Sequence, residues 1–435
     1  MIFIRNAFKN TFLFFCTLLI FHGSVTKTFA QGQNVRQLNA ITKDSIQITA
    51  PIIVGANQTE LYLPILEGKK VAIVGNQTSV VFRYPNLNML IEEQGGIEST
   101  EFKQYTHLVD SLLSRNIKIQ KVFAPEHGFR GKADAGELVA NSKDIKTGLP
   151  IFSLHGKDKK PSVASLSGID IVVFDIQDVG VRFYTYISTL HYVMQACAEN
   201  NIPVLILDRP NPNAHYIDGP TLEPKHSSFL GVHPIPLVHG MTIGEYAKMI
   251  NGEGWLGKDL TCEITIIPLK NYTHKSSYNL PIRPSPNLPN DKAINLYPSL
   301  GFFEGTTINA GRGTEKQFQI FGSPDLAIEH YNFAYIPKPN FGAKYPKHRG
   351  EVCYGNDLRK TKWLSSINLW WLVNAYKNSN DKDKFFNTKS FTLHAGTEKL
   401  QQQIQDGISV QEIKKSWSED LKAYKIKRQQ YLLYK

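Results

Sequence analysis

Cysteine is scarce in this chain: four in 435 residues, at positions 16, 197, 262 and 353, with no C-x-x-C pair among them. That scatter excludes a disulfide-stapled scaffold and offers no zinc-ligand spacing. Long apolar runs are missing too. The run at residues 12–21 is about ten residues, half of the ~20 that a permanent membrane-crossing helix needs. Spacing-defined catalytic signatures are also absent. There is no G-x-S-x-G elbow, no P-loop, no G-x-G-x-x-G fingerprint and no H-E-x-x-H helix. No internal repeat or low-complexity tract is present.

Acidic residues number 38 against 49 basic ones, a net charge of +11. The excess sits in residues 340–435, where 18 Lys and Arg face 9 Asp and Glu. Such a surface attracts anionic polymers, but no nucleic-acid motif accompanies it. Hydrophobic residues at 42% supply a packed core and exclude a disordered chain. The length allows two domains.

The first thirty residues read as an export signal. Arg5 and Lys9 precede the apolar run, and Thr28-Phe29-Ala30 places small residues at the −3 and −1 positions of a cleavage site. The expected organisation is a signal peptide over 1–30, an irregular leader over 31–58, and an exported protein, periplasmic or secreted. No membrane span is expected after cleavage, and export removes nucleic acid from the expected partners.

From Lys70 onward, short β-branched runs alternate with amphipathic stretches. Strands are expected at 71–74, 119–124, 150–154, 169–174, 202–207 and 261–269. Helices are expected at 105–116, around 187–197, and from Thr242, where Thr242-Ile243-Gly244-Glu245 fits a capping box. Runs apolar at every position indicate strands covered on both faces, hence a parallel sheet wrapped by helices. The fold class expected is α/β. A Rossmann-like catalytic domain spans 59–300, and a smaller C-terminal α/β domain at 301–435 closes the cleft. Helices are expected at 358–376 and 410–431. Residues 279–314, with Pro281, Pro284, Pro286, Pro289 and Pro298, read as a long connection crossing the cleft.

In an open α/β sheet, ligands bind beyond the carboxyl ends of the strands. Those ends here carry Glu126 and His127, then Asp175, Gln177 and Asp178 with Arg182, Tyr184 and Tyr186, then Asp208 and Arg209. His239 precedes the capped helix. Each has a structural alternative: an Asp after a strand serves as an N-cap, and an aromatic as core. Glycosidic cleavage needs one protonated carboxyl and usually a second carboxylate. Glu126, between Pro125 and Phe129, suits the acid, and Asp175 leads as partner, with Asp178 beside it. Two other readings remain open: a metal-dependent hydrolase using His127, Asp175, Asp178 and Asp208, and a non-catalytic exported sugar-binding protein.

The strings Ala124-Pro125-Glu126-His127-Gly128-Phe129-Arg130-Gly131 and Phe174-Asp175-Ile176-Gln177-Asp178-Val179-Gly180-Val181-Arg182-Phe183-Tyr184-Thr185-Tyr186 are long and specific. With Leu207-Asp208-Arg209-Pro210, His239-Gly240-Met241-Thr242, Pro284-Ser285-Pro286-Asn287, Glu304-Gly305-Thr306 and Gly311-Arg312-Gly313-Thr314, their order resembles the exo-β-N-acetylmuramidases, glycoside hydrolase family 171. The resemblance implies a Rossmann-like domain and a smaller C-terminal α/β domain with the active site between them. It implies release of N-acetylmuramic acid from the non-reducing end of peptidoglycan fragments, that is, muramic acid–glucosamine saccharides, with Glu126 as the catalytic glutamate and no metal or other cofactor. Asn287, Glu304 and Arg312 join His127, Gln177, Arg182, Tyr184, Tyr186, Asp208, Arg209 and His239 as implied substrate-binding residues. One of Arg182, Arg209 and Arg312 is expected to bind the lactyl carboxylate of muramic acid.

Overall fold

The computed structural model describes residues 50–83, 105–131 and 141–435. The expected signal and most of the leader lie outside these residues. Among the described residues, no helix is long and apolar enough to cross a membrane.

Residues 50–435 form one compact unit around a seven-stranded sheet. In spatial order its strands are Ile264–Ile267, Val204–Leu207, Ile171–Asp175, Lys70–Gly75, Lys118–Ala124, Pro150–Ser153 and Ser142–Lys143. All neighbours pair in parallel except the short last strand. Counted along the chain, the six parallel strands run 3-2-1-4-5-6, the doubly wound order with its switch point between the first and fourth strands. The expected strands are therefore present, each within a few residues of its expected ends.

The side-chain alternation of each strand is divided between two cores. Ala72, Val74, Phe123, Val172, Phe174, Val204 and Ile206 enter one, which also takes residues of the helices Tyr186–Glu199 and Ile243–Gly252. Val71, Ile73, Val122, Ala124, Ile171, Val173, Leu205 and Leu207 enter the other, against Thr59–Leu66 and Leu108–Leu113. A period of two with both faces apolar is what makes these runs continuous in hydrophobicity.

The smaller C-terminal portion holds a three-stranded antiparallel sheet, in the order Ile320–Ser323, Cys353–Asp357, Phe333–Tyr335, and a set of short helices. Its last residues return to the large sheet. Glu245 accepts the Leu433 and Tyr434 backbone N–H groups at 2.9 and 3.2 Å. The Tyr434 hydroxyl donates to Asp208 at 2.6 Å.

Four expectations about elements change. The helix expected at 105–116 begins as a strand, Tyr105–His107, and becomes helical only over Leu108–Leu113, because Val80–Phe82 offers Tyr105–His107 a pairing edge. The helix expected at 358–376 covers only Trp370–Lys377. Upstream, the Leu364 and Ile367 N–H groups donate to the side chains of Asn295 and Asp218 instead of to a helical ladder. The helix expected at 410–431 is two, Val410–Ser416 and Ser418–Gln429, broken at Trp417, whose indole N–H donates to Asp218 at 3.2 Å. The long connection is not structureless. It contains the helix Asp291–Leu300, N-capped by Asn290, and a 3₁₀ turn at Gly301–Gly305.

The capping box at Thr242 forms as the sequence indicates. Its hydroxyl accepts the Glu245 N–H, and the Glu245 carboxylate accepts the Thr242 N–H. That hydroxyl also donates to Asp208 at 2.7 Å. Thr242→Ala removes both contacts and is expected to cost about 0.5–2 kcal/mol, read as a lower denaturant midpoint with an unchanged slope.

Candidate active site

Glu126 stands one residue, Pro125, beyond the strand Lys118–Ala124. The Gly128 N–H donates to the Pro125 carbonyl at 3.0 Å, turning the chain sharply at the strand's end. His127 sits in this turn with φ 71, a left-handed conformation that costs a non-glycine residue of order 1–3 kcal/mol. The turn puts Glu126 and His127 side by side on the wall of a cavity of ≈ 270 Å³. Glu126 Oε2 accepts the Thr185 hydroxyl at 2.7 Å, and Thr185 immediately precedes the helix Tyr186–Glu199.

The same cavity is lined by Phe183, Tyr184, Leu230, Ser285, Asn287, Leu288, Tyr297, Glu304, Arg312, Phe318 and His394. It is therefore built jointly by the sheet ends, the proline-rich connection and the C-terminal portion. Glu304 is its second carboxylate. Arg312 Nε donates to Glu304 Oε1 at 3.0 Å. Lys347 packs beneath, its ammonium donating to the carbonyls of Phe303, Glu304, Thr306 and Ile308. Burial works to raise the Glu304 carboxyl, but Arg312 and Lys347 overcome it and hold the group down at about 2. Glu304 is thus an anion throughout the neutral range.

Of the residues singled out from the sequence, the cavity gathers Glu126, His127, Tyr184, Asn287, Glu304 and Arg312. The others are occupied elsewhere. Asp175 is fully buried, and both its oxygens are taken by Arg209, Nε at 2.6 Å and Nη2 at 2.9 Å. This fork joins two neighbouring strand ends, so the expected partner carboxylate serves as a structural ion pair. Arg209 Nη2 also donates to the Val80 carbonyl. Asp208 accepts Thr242, Tyr434 and the Gly244 N–H, and burial raises it to about 6 against those hydrogen bonds. Asp178 accepts the Gly180 N–H at 2.6 Å and lies 3.7 Å from the fully buried His239. The Gln177 amide donates to the Asp178 and Pro210 carbonyls. The Tyr186 hydroxyl accepts from Asn76 and donates to the Pro284 carbonyl, spanning the sheet's switch point. Arg182, fully buried, donates to four backbone carbonyls.

The metal reading loses its ligand set on the same geometry. Asp175 and Asp208 have their oxygens committed to protein donors. Among the described residues, no cluster of three or more His, Cys, Asp or Glu is positioned to share an ion.

Two family models cover the described sheet and the C-terminal portion: the N-terminal model of the exo-β-N-acetylmuramidase NamZ over residues 71–292, and its C-terminal model over 295–434. The chain belongs to the NamZ exo-β-N-acetylmuramidase family. It is 36% identical to the peptidoglycan β-N-acetylmuramidase NamZ of Bacillus subtilis, over 98% of this chain and all of that protein. Two crystal structures of DUF1343 family proteins from Bacteroides fragilis share its fold. One is 45% identical with a TM-score of 0.77, covering 89% of this chain and 99% of its own. The other is 26% identical with a TM-score of 0.70, covering 88% and 99%.

Sequence reasoning missed Thr185, Tyr297 and His394 as cavity residues. Thr185 stood inside a quoted string but carries no chemistry by itself. Tyr297 and His394 lie in helices with no motif around them.

The Asp175–Arg209 assignment has a direct consequence. Asp175→Asn leaves a buried guanidinium without its counter-charge and is expected to destabilise by about 3–5 kcal/mol. Thermal unfolding and turnover per folded molecule measure the two roles separately. A structural pair lowers the melting temperature while folded protein keeps its turnover, and a catalytic carboxylate does the reverse.

Proposed function

We propose that this protein is an exo-acting glycoside hydrolase that releases N-acetylmuramic acid from the non-reducing end of peptidoglycan fragments, with Glu126 as general acid. The observation that carries the reading is one cavity that holds two carboxylates. Glu126 accepts the Thr185 hydroxyl, and Glu304 is held ionised by Arg312 and Lys347. Glycosidases divide the work in this way: one carboxyl delivers a proton to the leaving oxygen, and the other supplies negative charge toward the oxocarbenium-like transition state. Glu304 takes the partner role for which Asp175 is unavailable.

The cavity volume, near the lower end of small-molecule sites, suits a terminal sugar better than the middle of a strand, in keeping with exo action. The charges suit a muramic residue. With Glu126 protonated, one anion, Glu304, stands against two cations, Arg312 and Lys347. The lactyl carboxylate would balance that surplus. Arg182 and Arg209 spend their guanidinium groups on buried carbonyls and on Asp175. Arg312 is the one of the three that lines the cavity, and it is our candidate for the carboxylate. The export signal read at residues 1–30 agrees with this substrate, which lies outside the cytoplasmic membrane, and the site of action we propose is the periplasm or beyond.

Glu126→Gln is expected to lower kcat on a chromogenic N-acetylmuramic acid glycoside by about 10²–10⁴-fold with the melting temperature retained. Binding of the glycoside by wild-type protein without any product would favour the sugar-binding alternative and overturn this reading. Arg312→Met is expected to weaken turnover of the muramic glycoside more than that of the matching N-acetylglucosaminide, seen as a lower ratio of their kcat/KM values. An unchanged ratio would remove Arg312 from the carboxylate role.

A further inference from the structure

His394 stands at the last turn of the helix Thr388–Ala395 and brings an imidazole from the C-terminal portion to the cavity. Its Nδ1 lies 2.8 Å from the Ser390 carbonyl. A carbonyl only accepts, so Nδ1 carries the hydrogen and Nε2 of the neutral ring carries the lone pair. Burial favours that neutral form and outweighs the opposing pull of the Ser390 carbonyl and of Glu304, while Lys347 and Arg312 reinforce it. The ring packs against Phe183 with centroids 5.5 Å apart. The backbone beneath it is fixed as well. Arg182 Nη2 donates to the His394 carbonyl at 3.1 Å and the Ala395 carbonyl at 2.7 Å. The helix then ends on Gly396 at φ 78, where a Cβ would lie 2.5 Å from Arg182 Nη2. Tautomer, ring plane and backbone are thus all set before any ligand arrives.

We propose that His394 is a substrate-contacting residue whose Nε2 accepts a hydrogen bond from a hydroxyl or amide N–H of the terminal sugar. The proposal rests on the muramidase reading and deepens it. On that reading Glu126 gives a proton, Glu304 stays anionic and Arg312 attracts an anion. A pre-oriented neutral acceptor adds recognition of a donor at one position of the ring. It is worth most because nothing about it must reorganise on binding.

The test uses the full chain as wild type, Glu126→Gln, His394→Leu and His394→Gln. Binding of N-acetylmuramic acid is measured by calorimetry, kcat/KM on its chromogenic glycoside, and folding by thermal unfolding. His394→Leu, with no acceptor, is expected to weaken binding and kcat/KM by about ten- to hundredfold. His394→Gln, which can place Oε1 near the Nε2 position, is expected to recover most of that loss. Wild-type affinity in His394→Leu would overturn the proposal. So would an equal loss in both His394 variants at unchanged melting temperature, since shape alone would then explain it. If wild type neither binds the sugar nor cleaves its glycoside, the muramidase reading falls and this proposal with it. If Glu126→Gln binds the sugar but does not turn over, that reading stands whatever His394 does.

Discussion

The guanidinium of Arg182 is the contact on which the site most depends. It is fully buried, and among the described residues no carboxylate pairs with it. Its charge is instead taken up by the carbonyls of Pro220, Ile235, His394 and Ala395. Burial lowers it to about 9, which still leaves it protonated near neutrality. A charge removed from water is tolerated only with such compensation, so the three segments that supply the carbonyls are held in fixed relation. One of them is the end of the helix bearing His394. The next residues along the chain, Phe183, Tyr184 and Thr185, are cavity wall. One side chain therefore links the loop after the fourth parallel strand to the C-terminal portion, just where the two meet.

The same economy explains why so many charged strand-end residues lie away from the cavity. In a doubly wound sheet the switch point opens a crevice between the first and fourth strands, where nucleotide-binding members place a glycine-rich turn. Here Asn76 and Tyr186 bridge that gap, with Pro284 above them. Asp175 and Arg209 lock the adjacent strand ends together. With the switch point closed by side chains, the opening lies beside it, over the turn after Lys118–Ala124. Glu126 belongs to that turn.

Much of the sheet was legible because both faces are covered, and strands such as 171–174 and 204–207 therefore show no polar alternation. The capping box at Thr242 was legible because its signal lies within four residues. The partner of Asp175 was not. Arg209 stands 34 residues away, and nothing local distinguishes a carboxylate aimed at a substrate from one aimed at a buried guanidinium. Glu304, Arg312 and Asn287 were reachable only through the family resemblance, since nothing around them marks a site. His394 had no signal of either kind. Its role depends on a carbonyl four residues back and on a guanidinium more than two hundred residues away. Trp417 and the 358–369 stretch failed for a related reason: distant side chains, Asp218 and Asn295, took the backbone or indole groups that helical periodicity alone would have assigned to a ladder.

The division between the two carboxylates follows from where each is rooted. Glu126 stands just past a strand end, where its carboxylate accepts the Thr185 hydroxyl. Glu304 stands in the 3₁₀ turn Gly301–Gly305, whose carbonyls hold the Lys347 ammonium, and Arg312 reaches it from a turn eight residues on. The charge state of Glu304 is thus built into the C-terminal portion, and the proposed proton donor stands at the end of a sheet strand. Neither part alone contains a glycosidase site. The chain's last residues also return to the sheet. There Tyr434 and Leu433 bind Asp208 and Glu245, so the tail fastens the portion that carries the anion to the portion that carries the acid. On this view Asp208, at a strand end, serves the site by holding the tail against the sheet rather than by entering the cavity.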